Sequence, residues 1–267
     1  MALNLPGPAA CARLREWGAQ VVKVEPPAGD PFAAFAPGWY SELHAGMEIH
    51  RVDLKSAEGL DRMHGWLGRA DVLVTAQRPS ALERLGLRGD ALHERHPRLC
   101  HAQLTGHREP DAEEPGHDLT YLAECGLVTA PSLPPTLFAD MAGAERLACG
   151  VLALVHARDR AGRGGGMTVA LADAAAWLAL PRTHGLTHRG ALLGGGYAGY
   201  NLYATQDGWI ALAALEPHFA QRVAAALGVE PITQERLAGV FAREPSSHWE
   251  ALAARHDFPL VALSSSR

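Results

Sequence analysis

Three places in the chain carry side chains that could take up and release protons: His117-Asp118, Asp140 and Glu216. An imidazole and nearby carboxylates suit general acid–base chemistry near neutral pH. Asp118 and Asp140 also stand at the start of helical patterns, where a carboxylate caps the helix and complements its dipole. Glu216 could simply begin a helix. The spacing alone therefore leaves a catalytic and a structural interpretation open at each place.

Other familiar catalytic and binding motifs fail in this sequence. Gly194–Gly199 matches G-x-G-x-x-G in its letters, but it neither follows a predicted strand nor opens a helix. We interpret it as a flexible segment between domains. The sequence has no P-loop, no G-x-S-x-G elbow and no H-E-x-x-H. The pairs His93/His96 and His184/His188 lack a third ligand nearby, which favours surface histidines, and we expect no metal.

Composition and charge argue against several classes of protein. Apolar residues make up 48% of the 267, which is typical of a globular chain and too high for a disordered one. The net charge of −5, without a cluster of basic residues, argues against a nucleic-acid partner. The longest apolar stretch, Leu147–Val155, is too short for a membrane span, and no signal-peptide pattern is present. With four scattered cysteines, we expect a soluble cytoplasmic protein with reduced thiols and no membrane partner.

Helical and strand patterns alternate along the first part of the chain. Short apolar runs at 20–25, 71–75, 98–104 and 167–171 predict strands, and the stretches between them have helical periodicity. Ser56 is the expected cap of one of these helices. This alternation predicts an α/β fold with a mostly parallel sheet and flanking helices.

The alternation of strand and helix patterns ends near residue 190. Two strand-like runs there flank Gln206-Asp207-Gly208, which is typical of a β-hairpin, and the rest is mostly helical. We therefore expect a large α/β domain over residues 1–190, a small α+β domain over 191–255 and a short C-terminal return segment over 256–267.

A series of short blocks gives the sequence a family resemblance. The chain resembles the class III CoA-transferase superfamily, and within it the α-methylacyl-CoA racemase branch. Each block is weakly specific, but together they follow the family's order over most of the chain. They lie at 5–8, 18–31, 52–55, 70–74, 78–79, 82–87, 96–99 and 116–121, followed by the Asp140 and Glu216 segments.

The resemblance implies roles for the acid–base residues. Asp118 stands at the position of the nucleophilic carboxylate of the transferases, whereas His117, Asp140 and Glu216 together are similar to the racemases. His117 and Asp140 would be the two acid–base groups on opposite faces of the α-carbon, and Glu216 would hold the His117 ring and favour its imidazolium form. Backbone N–H groups after Asp118 would stabilise the enolate.

The resemblance also implies what the protein binds. Coenzyme A enters as part of an acyl-CoA thioester substrate, with no tightly bound cofactor, and the expected assembly is an interlocked homodimer. Lys23, Arg78 and Arg84 are the cations in the matching blocks that could meet the CoA phosphates.

Some family features are missing. The usual first strand is shortened or absent, and Leu43–Glu48 and Thr75–Gln77 replace family residues, the former in a stretch that helps hold the CoA nucleotide. Three hypotheses therefore stay open. They are a racemase or epimerase of a 2-methyl-branched acyl-CoA, a CoA-transferase acting through an Asp118 mixed anhydride, and a non-catalytic or partner-dependent homologue with weakened CoA binding.

Overall fold

The computed structural model describes residues 1–264 and divides the chain into two compact units, Met1–Ala179 and the residues from Leu180 onward. This division lies upstream of residue 190, where the sequence pattern placed the boundary. Within the second unit, the glycine-rich segment folds back on the residues before it, because the Leu193 N–H donates to the Leu186 carbonyl. Residues 265–267, the end of the expected return segment 256–267, lie outside the described residues.

The first unit alternates helices and strands, as the sequence predicts. The predicted Ser56 cap is confirmed, since its hydroxyl accepts a hydrogen bond from the Gly59 N–H at 3.0 Å. In chain order the elements are α1 (Pro6–Glu16), β1 (Val22–Glu25), α2 (Phe32–Phe35), α3 (Pro37–Leu43), β2 (Glu48–Arg51), α4 (Ala57–Leu67), β3 (Val72–Thr75), α5 (Pro79–Arg84), α6 (Gly89–Arg95), β4 (Cys100–Thr105), α7 (Asp118–Glu124), α8 (Phe138–Ala161), β5 (Gly166–Ala170) and α9 (Leu171–Leu178).

The strands of this unit are all parallel to their neighbours. β1 pairs with β2, and a second sheet has the order β3-β4-β5. Every residue of the central strand β4 is buried, as expected for a parallel strand covered on both faces. The predicted α/β class is confirmed, with the parallel strands divided between two sheets.

The long helix α8 packs along the second sheet. Its buried residues Leu147 and Val151 join Leu104 of β4 in one apolar core, and full burial of such side chains contributes about 1.5–3 kcal/mol each. In its last turn, the Arg158 guanidinium donates a hydrogen bond to the Asp71 carboxylate at 2.6 Å, directly before β3. The C-terminal end of α8 is therefore anchored to the start of a strand of the sheet.

The second unit is built on an antiparallel sheet with the order β6-β7-β8. The predicted hairpin is confirmed as β6 and β7, and the Gly194–Gly199 segment leads into β6 without opening a regular helix. Ile210, Leu237, Phe241 and Trp249 belong to its apolar core. Its elements are α10 (Leu180–Thr183), β6 (Tyr200–Ala204), β7 (Trp209–Ala213), α11 (Pro217–Leu227), α12 (Gln234–Phe241), α13 (Ser246–His256) and β8 (Leu260–Ala262).

Over residues 1–264, none of the helices combines the length and the apolar character needed to cross a bilayer.

Candidate active site

The segments that follow β3 and β4 enclose a cavity within the first unit. Parallel strands bring their carboxyl ends to one edge of a sheet, where ligands of α/β proteins commonly bind. The cavity has a volume of about 210 Å³, and its walls include Gln77 and Arg78 after β3, Gly106 after β4, and His117 and Tyr121 at the start of α7. It thus brings together Arg78 and His117, two residues singled out from the sequence.

His117 is held by its backbone and leaves its imidazole exposed. It is the N-cap residue of α7, and the Thr120 hydroxyl accepts a hydrogen bond from the His117 N–H at 3.1 Å. The same hydroxyl donates to the His117 carbonyl oxygen at 2.8 Å. The ring is therefore carried on a fixed backbone at the cavity wall and is free to approach a ligand.

Asp118 links α7 to the N-terminus of α8. Its side chain is buried, and Oδ1 accepts a hydrogen bond from the Asp140 backbone N–H at 3.0 Å. The expectation that Asp118 and Asp140 are N-caps of their own helices is wrong, because the N-cap residues are His117 and Leu137. Asp118 instead satisfies a free N–H of the neighbouring helix, which places the two aspartates side by side.

The Asp140 carboxyl has a strongly perturbed pKa, although Asp140 is not among the residues that line the cavity. Burial, and secondly the charge of Asp118, raise the pKa of Asp140 from 3.8 to about 6. Both effects disfavour the ionised form. Asp140 is therefore partly protonated near neutral pH and is suited to act as either an acid or a base.

The raised pKa of Asp140 predicts a pH-dependent gain of stability in Asp140→Asn. Because the folded-state pKa lies above the unfolded value, the folded protein carries an ionisation cost at pH 7 that disappears as the pH falls through about 6 towards 4. We expect the variant to be more stable than wild type at pH 7, by at most about 3 kcal/mol, and to lose this advantage near pH 4. Urea unfolding across this pH range measures the difference.

The exposed Asp61→Asn variant is the matched control, and we expect it to stay within about 0.5 kcal/mol of wild type throughout. An Asp140→Asn advantage that is absent at pH 7, or that grows towards pH 4, contradicts the assigned environment.

Tyr121 is a site residue that the acid–base pattern did not reveal. A Cβ atom at Gly106 or at Gly116 would lie within 2.6 Å of Tyr121 side-chain atoms, so only glycine leaves room for the phenol at both positions. Burial, followed by the charges of Asp140 and Glu124, raises the pKa of Tyr121 to about 12. The phenol therefore stays protonated and is a hydrogen-bond donor at the cavity wall. Gly106 and Gly116, which both precede Tyr121 in the sequence, were the features from which its position could have been predicted.

Arg78 and Arg84 lie at the two ends of α5 and are both exposed. Both are near Glu113, whose carboxylate accepts a hydrogen bond from the Ser80 N–H at 2.7 Å. This bond, together with the two guanidinium groups, holds the pKa of Glu113 below its usual range. Arg78 therefore lines the cavity with its positive charge partly balanced by nearby carboxylates, Glu113 and the cavity-lining Glu114.

Lys23 has a different environment from the one expected of a phosphate-binding residue. Its ammonium is buried, 2.6 Å from the Asp30 carboxylate, 3.1 Å from the Glu25 carboxylate and 2.6 Å from His44 Nε2. Burial is the main cause that lowers the pKa of His44, so the imidazole accepts a hydrogen bond from the ammonium. We therefore remove Lys23 from the candidate CoA contacts, because its charge is already neutralised inside the fold.

Glu216 belongs to the second unit, where it is exposed and forms the N-cap position of α11. Its carbonyl oxygen accepts hydrogen bonds from the Phe219 and Ala220 N–H groups, and its carboxylate is not used in the cap. Its interaction with the His117 ring stays a prediction.

The histidine pairs noted in the sequence differ in burial. His184 and His188 are exposed, as expected of surface residues. The expectation is wrong for His96, which is buried and lies 2.9 Å from His64 Nδ1 through its own Nε2. Among residues 1–264, no group of three or more metal-ligating side chains is close enough to hold an ion.

Comparison with known protein families shows which family the chain belongs to. The sequence profile of CoA-transferase family III matches residues 1–263, which is nearly the whole chain. The chain belongs to CoA-transferase family III. The family predicted from the ordered blocks is therefore confirmed.

Relatives in family III carry two kinds of activity in their names. Human α-methylacyl-CoA racemase is 30% identical over 275 aligned positions, which cover 91% of this chain and 70% of the racemase. The (R)-2-hydroxy-4-methylpentanoate CoA-transferase of Clostridioides difficile is 31% identical over 62% of this chain. The match spans only about half of that transferase, 47% of its length.

The fold is shared with a solved structure. A hypothetical protein of Mycobacterium tuberculosis, Rv3272, superposes with a TM-score of 0.87 at 26% sequence identity. The superposition covers 98% of this chain and 82% of that protein. Sequence and structure therefore agree on family membership, while the names of the relatives include both racemase and transferase.

Proposed function

We propose that the protein removes and returns the α-proton of a 2-methyl-branched acyl-CoA thioester, as a racemase or epimerase. The observation that carries this proposal is the Asp140 carboxyl, whose pKa is raised to about 6. The backbone N–H of Asp140 donates a hydrogen bond to Asp118, the residue that follows His117 in the sequence. Racemisation needs two groups that exchange acid and base roles, and a group with a pKa near the working pH does this best. Coenzyme A is then part of the substrate and not a resident cofactor.

The proposed mechanism assigns one face of the α-carbon to each group. In one direction, deprotonated Asp140 takes the α-proton while the protonated imidazole of His117 delivers a proton to the opposite face. In the other direction the roles reverse, and the same atoms and charges are restored. The neutral Tyr121 phenol at the cavity wall is available to donate a hydrogen bond to the enolate oxygen formed between the two proton transfers.

One observation also supports CoA transfer as a second candidate function. Among the residues that the structure describes, no hydrogen bond holds Oδ2 of Asp118, while Oδ1 is fixed by the Asp140 N–H. In this route Oδ2 attacks the acyl-CoA carbonyl, forming a mixed anhydride and releasing the CoA thiolate. The thiolate attacks the aspartyl carbonyl, which releases the donor carboxylate and leaves an aspartyl-CoA thioester. The acceptor carboxylate displaces the thiolate to form a second mixed anhydride, and the thiolate then attacks the acceptor acyl carbon, which gives the new acyl-CoA and restores Asp118. This route requires a second carboxylic acid, whereas racemisation does not.

Incubation with one acyl-CoA in heavy water distinguishes the candidates. Racemase chemistry gives deuterium at the α-carbon with no second acid present, detected by mass spectrometry and NMR. Transfer gives a new acyl-CoA only when an acceptor carboxylic acid is added. The third hypothesis, a non-catalytic homologue, predicts neither product and no shift of the thermal unfolding temperature on addition of CoA.

We expect Arg78→Ala to weaken CoA binding about tenfold and to reduce its salt dependence. The guanidinium is exposed at the cavity wall, and charge-assisted contacts to phosphate are the stronger class of hydrogen bond. Calorimetric titration with CoA at several salt concentrations measures both quantities. Arg69→Ala removes another exposed arginine of the first unit and is the control. An unchanged affinity and salt slope in Arg78→Ala contradict this placement.

We expect Glu216→Gln to shift the pH profile of α-proton exchange and to lower its maximum much less than loss of a base does. The proposed role of the Glu216 carboxylate is to favour the imidazolium form of His117. Without that negative charge, the limb of the pH profile that reflects loss of the imidazolium proton should move to lower pH. Measuring deuterium incorporation against pH tests this. An unchanged profile removes Glu216 from the site.

The interlocked homodimer and the cytoplasmic location stay predictions that follow from the family resemblance and the sequence composition.

A further inference from the structure

Thr120 makes two side-chain hydrogen bonds to a single residue, the acid–base candidate His117. Its hydroxyl accepts a hydrogen bond from the His117 N–H at 3.1 Å and donates one to the His117 carbonyl oxygen at 2.8 Å. Thr120 is exposed and is not among the residues that line the cavity. Its route of influence on the reaction is therefore through His117 and not through contact with a substrate.

The two hydrogen bonds differ in what else could replace them. The His117 carbonyl oxygen also accepts hydrogen bonds from the backbone N–H groups of Thr120 and Tyr121, at 2.9 and 3.2 Å, as the N-cap carbonyl of a helix does. Among the residues that the structure describes, the His117 N–H has the Thr120 hydroxyl as its only acceptor. Loss of the hydroxyl therefore leaves the carbonyl held by α7 and releases the N–H.

The N–H side of His117 is the side that sets the direction of the imidazole. Rotation about the N–Cα bond, the angle φ of −143°, determines where Cβ points relative to the preceding chain. That chain is flexible, because residue 116 is a glycine. A glycine is required there, since a Cβ atom would lie 2.5 Å from the Tyr121 ring. The space made for Tyr121 thus leaves His117 dependent on Thr120 for its direction.

We propose that Thr120 is a positioning residue that directs the imidazole of His117 towards one face of the substrate α-carbon. This role rests on the proposed racemase chemistry, in which His117 and Asp140 each serve one face. The Asp140 backbone is held separately, by the hydrogen bond from its N–H to Asp118 Oδ1. A misplaced group slows the proton transfer in which it takes part, so Thr120 controls the His117 face and not the Asp140 face.

Exchange of the α-proton in heavy water, measured separately for each enantiomer of a 2-methyl-branched acyl-CoA, tests this role. Thr120→Val removes the hydroxyl and keeps the branched shape of the side chain. We expect racemisation, and exchange in the enantiomer whose α-proton faces His117, to fall about tenfold. Exchange with retention in the other enantiomer, through Asp140, should stay close to wild type. Mass spectrometry and chiral chromatography together give the ratio of the two exchange rates.

Three further variants complete the test. Thr120→Ser restores the hydroxyl and should restore the wild-type ratio, whereas Thr120→Ala removes the hydroxyl by a second route and carries the test if the valine variant does not fold. The matched control is Thr233→Val in the second unit. Thr233 is also an exposed threonine at a helix N-terminus, where its hydroxyl accepts a hydrogen bond from the Arg236 N–H at 3.3 Å. Its loss removes a cap of the same kind and should leave the ratio unchanged.

Two kinds of failure are distinguishable. Equal slowing of both enantiomers in Thr120→Val shows a general loss of structure and overturns the positioning role, as does an unchanged ratio or a changed ratio that serine does not restore. A wild-type protein that exchanges no α-proton refutes the racemase proposal itself, and the positioning role with it.

Discussion

Replacing His117 by alanine should abolish racemisation while leaving the fold intact. Its imidazole is exposed, and truncation leaves in place the hydrogen bonds by which the Thr120 hydroxyl holds the His117 backbone. We expect the rate of racemisation to fall by about 10²–10⁴. Chiral chromatography of the thioester measures this loss. Deuterium exchange through Asp140 should survive with one enantiomer, and Asp140→Ala should show the reverse preference.

A control variant and a substitution of Asp118 separate the candidate reactions. His188→Ala removes an exposed histidine of the second unit and should behave as wild type. Asp118→Asn keeps an oxygen that can accept the hydrogen bond from the Asp140 N–H but removes the charge, so the pKa of Asp140 should fall and the acid limb of the racemase pH profile should move lower. Near-full activity in His117→Ala, together with complete loss in Asp118→Asn, supports transfer instead.

Lys23→Met should strongly destabilise the fold. The buried ammonium lies within ion-pair distance of the Glu25 and Asp30 carboxylates, which are themselves almost fully buried, and Arg51 also lies 3.8 Å from Glu25. Removing one partner of a buried ion pair leaves an uncompensated charge and typically costs about 3–5 kcal/mol. Urea unfolding at constant pH measures the loss. Lys55→Met changes the chain's other lysine, which is exposed, and should shift stability by no more than about 0.5 kcal/mol.

A triple variant separates charge from packing at Lys23. Combining Lys23→Met with Glu25→Gln and Asp30→Asn removes the three buried charges while keeping the side-chain sizes similar, and leaves only the exposed Arg51 beside them. The triple variant should recover much of the lost stability. A single variant as stable as wild type shows that the ammonium is not needed to neutralise the cluster.

Local patterns were sufficient to predict most elements of the fold. The alternation of apolar runs and helical periodicity predicted the strands β1, β3, β4 and β5, and the side-chain chemistry of Ser56 predicted its cap. The turn residues at 206–208 predicted the hairpin of the second unit. These features depend on residues close together in the sequence, whose preferences are largely independent of the rest of the fold.

The contacts and burial of the site residues could not be predicted from local sequence patterns. The contact between Asp118 and Asp140 joins residues 22 positions apart, and it depends on where α8 begins relative to α7. The ammonium of the buried Lys23 contacts Glu25, Asp30 and His44. Glu25 ends β1, Asp30 lies between β1 and α2, and His44 follows α3. Sequence identifies such charged residues, but only the packed chain decides whether they face a ligand or each other.

The anchoring of α8 at both ends has a consequence for the connection that precedes it. Asp118 holds the helix at its start and Asp71 holds Arg158 in its last turn, so neither anchor involves the connecting residues 126–137. Insertions or deletions in a surface connection cost little, about 0.6 kcal/mol for each doubling of length. Leu127 and Val128 pack against the apolar core, but residues 129–133 are exposed. The length of this exposed stretch can therefore be changed by engineering without moving Asp118 or Asp140.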